Sequence, residues 1–136
     1  MESVRLDTET IISRVLEQAA TSPDIEVVWL YGSRAQGKEH DDSDIDLAIA
    51  FHDFSLSSFE KYLRPNTLTL DWAQSLDLPS DKLSIVDINQ VPAYLGFSIV
   101  NEGRVIYGAD CPRAYRESSR IYSMYEHQRR EQQHEE

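Results

Sequence analysis

Ten residues separate Gly32-Ser33 from Asp44, and Asp46 follows two residues after that. On an extended strand, residues two apart project from one face. Two carboxylates held that close repel each other unless a cation lies between them. Hard cations such as Mg²⁺ prefer carboxylate oxygens and keep coordination positions for phosphates. Two such ions, about 4 Å apart, clamp the attacking and leaving oxygens of an in-line displacement. Glycine lets the backbone come close to a ligand. The N–H groups of a turn at Gly32-Ser33, with the Ser33 hydroxyl, suit phosphate oxygens, and Arg34 is placed to add a charge-assisted contact. Each feature alone is common, but together they describe a nucleoside triphosphate site with one or two Mg²⁺ ions on Asp44 and Asp46.

These residues need strands to hold them. Ile25 to Tyr31 is a dense run rich in β-branched and aromatic residues, which predicts a buried strand ending at Gly32. Asp44 to Phe51 predicts a second strand: Ile45, Leu47, Ile49 and Phe51 alternate with Asp44, Asp46, Ala48 and Ala50. Ahead of both, Asp7 to Ala20 has helical spacing in Ile11, Ile12, Val15, Leu16, Ala19 and Ala20, with Asp7 as N-cap. Ser55 to Leu78 reads as helix interrupted by Pro65, which loses a hydrogen bond and clashes inside a helix. A loose segment near Ser57 to Leu63 is expected, then a helix from Thr67 to Leu76 capped by Asn66. Leu83 to Ile88 reads as a third strand, Val91 to Asn101 as a helix with Pro92 in its first turn and Gly103 beyond its end, and Arg104 to Tyr107 as a last strand. Arg113 to Arg130 reads as the final helix, with Tyr115, Tyr122 and Tyr125 near one face and a fraying charged tail. Trp29 and Trp72 are expected in the core, and His40, His52, His127 and His134 on the surface. The class is α/β or α+β, a small mixed sheet covered by helices. Residues 1–110 would form the working domain and 111–136 a C-terminal helix with its tail.

Composition narrows the partners. The net charge of −11 is opposite to what a nucleic-acid binder needs to displace counterions, so direct binding to DNA or RNA is disfavoured. No apolar run approaches the ~20 residues that span a bilayer, and no signal peptide is legible at the N-terminus. Cys111 is the sole cysteine, so an internal disulfide is impossible. These features point to a cytoplasmic protein without a membrane role.

The stretch Leu30-Tyr31-Gly32-Ser33-Arg34-Ala35-Gln36-Gly37, followed by Ser43-Asp44-Ile45-Asp46-Leu47-Ala48-Ile49, resembles the signature of the DNA polymerase β superfamily of nucleotidyltransferases. More narrowly, the chain resembles the minimal nucleotidyltransferases (MNT). Leu83-Ser84-Ile85-Val86-Asp87-Ile88 and Asn101-Glu102-Gly103-Arg104-Val105-Ile106-Tyr107-Gly108 resemble the antitoxins of HEPN/MNT (type VII) toxin–antitoxin pairs. The resemblance implies the polymerase-β-type fold. It also implies Mg²⁺-dependent transfer of AMP from ATP to a tyrosine hydroxyl of a partner HEPN ribonuclease, which silences it. Two other readings stay open: an inactive antitoxin that acts by steric binding, and a nucleotidyltransferase acting on a small hydroxylated molecule.

The resemblance further implies a third acidic residue on a neighbouring strand, one that binds metal and helps deprotonate the attacking hydroxyl. In the aligned strand that position is Ser84, with Asp87 three residues on. Positions three apart face opposite sides of a regular strand. Asp87 serves as the third catalytic carboxylate if the strand bulges; otherwise another group or water is the base, or the protein acts chiefly by binding.

Overall fold

The computed structural model describes residues 7–40 and 42–135. Helix α1 (Thr8–Ala20) opens where expected: the Asp7 carboxylate accepts the Thr10 N–H at 2.8 Å, which holds its carboxyl below the usual range. Ile11, Val15 and Ala19 form its buried stripe, four apart as a helix face requires. Strands β1 (Ile25–Tyr31) and β2 (Ile45–Phe51) follow as an antiparallel pair.

Helix α2 (Ser58–Ser75) departs from the expectation, running unbroken through Pro65. The proline costs about 3 kcal/mol in a helix interior. Ser57 caps the start, accepting the Glu60 N–H at 3.2 Å, and Trp72, Ala73 and Leu76 are buried against the sheet. Burying side chains of this kind is worth about 1.5–3 kcal/mol each, so packing outweighs the local break.

Strand β3 (Leu83–Asp87) lies parallel to β2, and β4 (Arg104–Tyr107) antiparallel to β1. The mixed sheet has the order β3-β2-β1-β4. On one face Ile45, Leu47, Ile49 and Phe51 meet Ile11 and Val15 of α1 and Trp72 of α2. On the other, Trp29, Ala48 and Ala50 meet α3 (Ala93–Glu102) and α4 (Pro112–Glu135) through Ile99, Ala114 and Ile121. The two alanines let the helices close in on β2. Both tryptophans are 2% exposed. Ala114 and Ile121 thus belong to the core, and α4 continues to Glu135 rather than ending at Arg130. Tyr125 stacks on Phe97 and Tyr122 meets its edge, whereas Tyr115 is 77% exposed, so the three tyrosines do not act as one face. His40, His52 and His127 are exposed; the His134 side chain lies outside the description. Among the described residues no helix is long and apolar enough to cross a membrane.

Arginines fasten the end of the sheet where β2 finishes. Arg113 pairs with Glu26 and donates to the Phe51 carbonyl at 2.9 Å and to Asn89 Oδ1 at 2.7 Å. Arg64 pairs with Asp24 at 3.1 Å and donates to the Asp53 carbonyl at 2.8 Å.

Candidate active site

The opposite end of the sheet carries the predicted constellation. Tyr31 is paired across the antiparallel ladder with Asp46, so Gly32 leaves β1 beside that carboxylate. Its φ is +76°, and a side-chain carbon placed on it would stand 2.5 Å from Oδ2 of Asp46. Only glycine fits both the left-handed backbone and the contact. The chain then coils: the Gly32 carbonyl accepts the Ala35 N–H at 3.1 Å and the Ser33 carbonyl accepts the Lys38 N–H at 3.0 Å. Among the described residues neither the Ser33 N–H nor its hydroxyl has a hydrogen-bond partner.

Asp44 is exposed and Asp46 half-buried. Burial raises the Asp46 carboxyl above its usual range, and the charge of Asp44 raises it further. Among the described residues neither carboxylate has a salt-bridge partner. A desolvated carboxylate beside a second one, with no protein cation to offset them, suits a bound divalent ion. Among the described residues no third His, Cys, Asp or Glu joins the pair.

Two residues depart from the sequence reading. Arg34 is 6% exposed and turns away from the Ser33 turn. Its Nε and Nη2 donate to the Ser43 carbonyl at 3.1 and 3.0 Å, and its Nη1 to the Thr8 hydroxyl at 3.1 Å. Three of its five N–H donors are engaged there, so the structure does not place it on the Ser33 turn as the phosphate ligand expected. It ties the residue before Asp44 to the first turn of α1. Truncating a buried hydrogen-bonding group strands its partners at a cost of about 1–3 kcal/mol. Arg34→Ala should therefore lower unfolding stability by that amount in urea titration.

Asp87 is the second correction. β2 and β3 pair without a shift, Asp46 against Ser84 and Ile49 against Asp87, so the bulge that would have turned Asp87 toward the pair is absent. Asp87 shares the face of Leu83 and Ile85 and is 4% exposed. It accepts the Asn89 N–H at 2.8 Å and lies 3.6 Å from Arg64. Burial raises its carboxyl above the usual range, against the opposing pull of Asn89, Arg64 and Arg113. Three residues of strand, about 10 Å, and the thickness of the sheet separate it from the carboxylate pair, so it joins the polar fastening at the far end.

Beside Asp46 the ladder places two hydroxyl residues: one at the position where the resemblance implied the third carboxylate, and one that the sequence reading did not link to the site. Ser84 of β3 is on one side and Tyr31 of β1 on the other. Burial, then the charge of Asp46, pushes the Tyr31 hydroxyl up to about 12. Register across the sheet adds Tyr31 to this row, and no pattern within a single strand encodes it.

Comparison with known proteins agrees with the geometry. The family model described as "Polymerase beta, Nucleotidyltransferase" matches residues 12–111. The chain is 29% identical over 111 residues to the protein adenylyltransferase MntA of Shewanella oneidensis, covering 82% of this chain and 73% of that one. Among solved structures, it resembles a toxin–antitoxin complex with AMP-PNP (TM-score 0.69, 24% identity, 90% of this chain and 92% of that one). It also resembles the complex of a tri-AMPylated Shewanella oneidensis HEPN toxin with its MNT antitoxin (TM-score 0.62, 23% identity, 92% and 89% covered). A mutant MntA toxin–antitoxin complex matches with a TM-score of 0.65 at 26% identity, over 94% and 93% of the two chains.

Proposed function

The chain belongs to the polymerase beta nucleotidyltransferase family, and from that premise we propose that it is an antitoxin that transfers AMP from ATP to a tyrosine hydroxyl of a partner HEPN ribonuclease in the cytoplasm, silencing it. The observation that carries this reading is the placement of Asp44 and Asp46 at the start of β2, against a Gly32-Ser33 turn that only glycine can open. The likeness to MntA, a protein adenylyltransferase, supports the acceptor class.

Asp44 and Asp46 would hold one or two Mg²⁺ ions, which supply neutralisation of phosphate charge when bound. Gly32 gives the triphosphate room to approach the backbone. Ser33 offers its N–H and hydroxyl to phosphate oxygens. Arg34 keeps Asp44 in place through the Ser43 carbonyl. The acceptor oxygen attacks the α-phosphorus in line; the new O–P bond forms as the bond to the bridging oxygen breaks, and pyrophosphate leaves. The work of the residues is positioning and charge complementarity. Residues 1–110 carry the transferase centre, and α4 completes the core of the same unit through Ala114 and Ile121.

Incubating the chain with its co-expressed partner, ATP and Mg²⁺ should raise the partner's intact mass by whole AMP units and suppress its ribonuclease activity; an unchanged mass would refute the proposal. Ser84 in place of a third carboxylate favours a second reading, in which the fold neutralises its partner by contact alone. Neutralisation without any AMP adduct would establish that one.

A further inference from the structure

Helix α2 has two apolar faces, and the sheet covers only one. Pro65, Trp72 and Ala73 are buried on the inner side. On the outer side Phe59, Leu63, Asn66 and Leu70 follow at spacings of four, three and four. That is the a/d seam of a helix that packs along another helix. Phe59 is 69% exposed, Leu63 39% and Leu70 62%, and Tyr62, also 69% exposed, runs along one flank. A Phe or Tyr side chain carries about 150–250 Å², so the four residues leave an apolar patch on the order of 400 Å², a size that marks an interaction surface. Arg64 ties this part of α2 to Asp24 and to the Asp53 carbonyl. The seam therefore begins at the end of the sheet opposite Gly32 and Asp46.

We infer that the outer face of α2 pairs with the same face of a second copy of this chain, as a parallel two-fold dimer. The seam is complementary to itself. A two-fold axis along it sets Phe59, Leu63 and Leu70 each against its own copy, apolar on apolar. The one polar seam residue is Asn66, whose amide both donates and accepts and so satisfies the same amide opposite; a lone Asn in such a seam fixes register. The flanks agree. In parallel pairing Tyr62 falls beside Thr67 and Thr69 beside Gln74 of the second copy, so no like charges meet across the seam. Joining two such patches with their flanks removes on the order of 1,000–1,200 Å² from water, the low end of specific interfaces. The dimer is therefore a weak one, and the net charge of −11 on each copy opposes it until salt screens the repulsion. This pairing is independent of whether the chain transfers AMP.

Sedimentation of the whole chain between about 1 and about 300 µM should show its mass rising from one chain towards two. Leu70→Glu puts a charge into the seam without touching the core, and should weaken association at least about 10²-fold while the urea midpoint stays level. Tyr94→Glu, at a tyrosine 71% exposed on α3, should leave association unchanged. With Cys111 replaced by serine, Leu70→Cys alone should cross-link on oxidation, since parallel pairing sets position 70 against its own copy within disulfide reach. Antiparallel pairing would hold those two positions about 16 Å apart and cross-link only a mixture of Phe59→Cys and Leu70→Cys chains. Asn66→Leu should tighten the dimer about tenfold and give both cross-linking patterns, as the fixed register is lost. A chain still monomeric at the highest concentration overturns the inference, as does a dimer indifferent to Leu70→Glu or one that cross-links only in the mixture. A monomer whose complex with the co-expressed partner is lost on Leu70→Glu also overturns it, and assigns the seam to that partner.

Discussion

Replacing Asp44 and Asp46 together with alanine removes AMP transfer by at least about 10³-fold, the loss expected when the charge-stabilising centre of an in-line displacement is taken away. The same variant keeps its fold. The wild-type pair repels itself, and Asp46 is held partly out of water, both of which raise its carboxyl. An ionised group with a raised folded-state pKa opposes folding above the unfolded pKa, so neutral alanines relieve that opposition at pH 7. The urea midpoint should therefore stay level or rise while the partner's mass stays unmodified. Transfer within about tenfold of wild type would refute the assignment of these carboxylates. A collapse in stability would show that activity was lost for another reason.

Gly32→Ala has the next largest effect, and it acts through geometry alone. The methyl group adds no charge and removes no donor. It enters a backbone with φ of +76°, a conformation that costs an L-residue roughly 1–2 kcal/mol, and it meets Oδ2 of Asp46 at 2.5 Å. The carboxylate must move by several tenths of an ångström at least, and a displacement of about 1 Å at a reacting centre costs on the order of 10²-fold in rate. Transfer should fall about 10²-fold or more, with roughly 1–3 kcal/mol lost from unfolding stability. A variant with unaltered turnover would show that the turn is not pressed against the Asp44 and Asp46 pair.

Much of this centre can be read from local sequence because local rules build it. The run Ile25 to Tyr31, the break at Gly32 and the alternation from Ile45 to Phe51 each follow from periodicity within one strand, and the structure reproduces them. What failed depended on distant partners. Pro65 looks like a helix break until Trp72 and Leu76 are seen buried behind it. Arg34 looks like a phosphate ligand until its guanidinium is found on Ser43 and Thr8, the latter 26 positions earlier in the chain. Asp87 looks like a missing carboxylate until parallel pairing places it behind the sheet. Buried arginines and buried acids take their roles from what folds over them, and sequence spacing carries little of that information.

The central position of β1 and β2 has a consequence for how the molecule assembles. Gly32 and Ser33 directly follow β1, and Asp44 and Asp46 stand at the start of β2, its antiparallel and consecutive partner, so closing their geometry needs only one loop and little entropy. Ser84 arrives on an edge strand that pairs in parallel with β2 and is reached only through the crossover containing α2. Contacts of such long sequence separation form late and slowly. The carboxylate pair and its glycine turn are thus a local, early-closing unit, whereas Ser84 is delivered to Asp46 by the slowest topological step in the sheet.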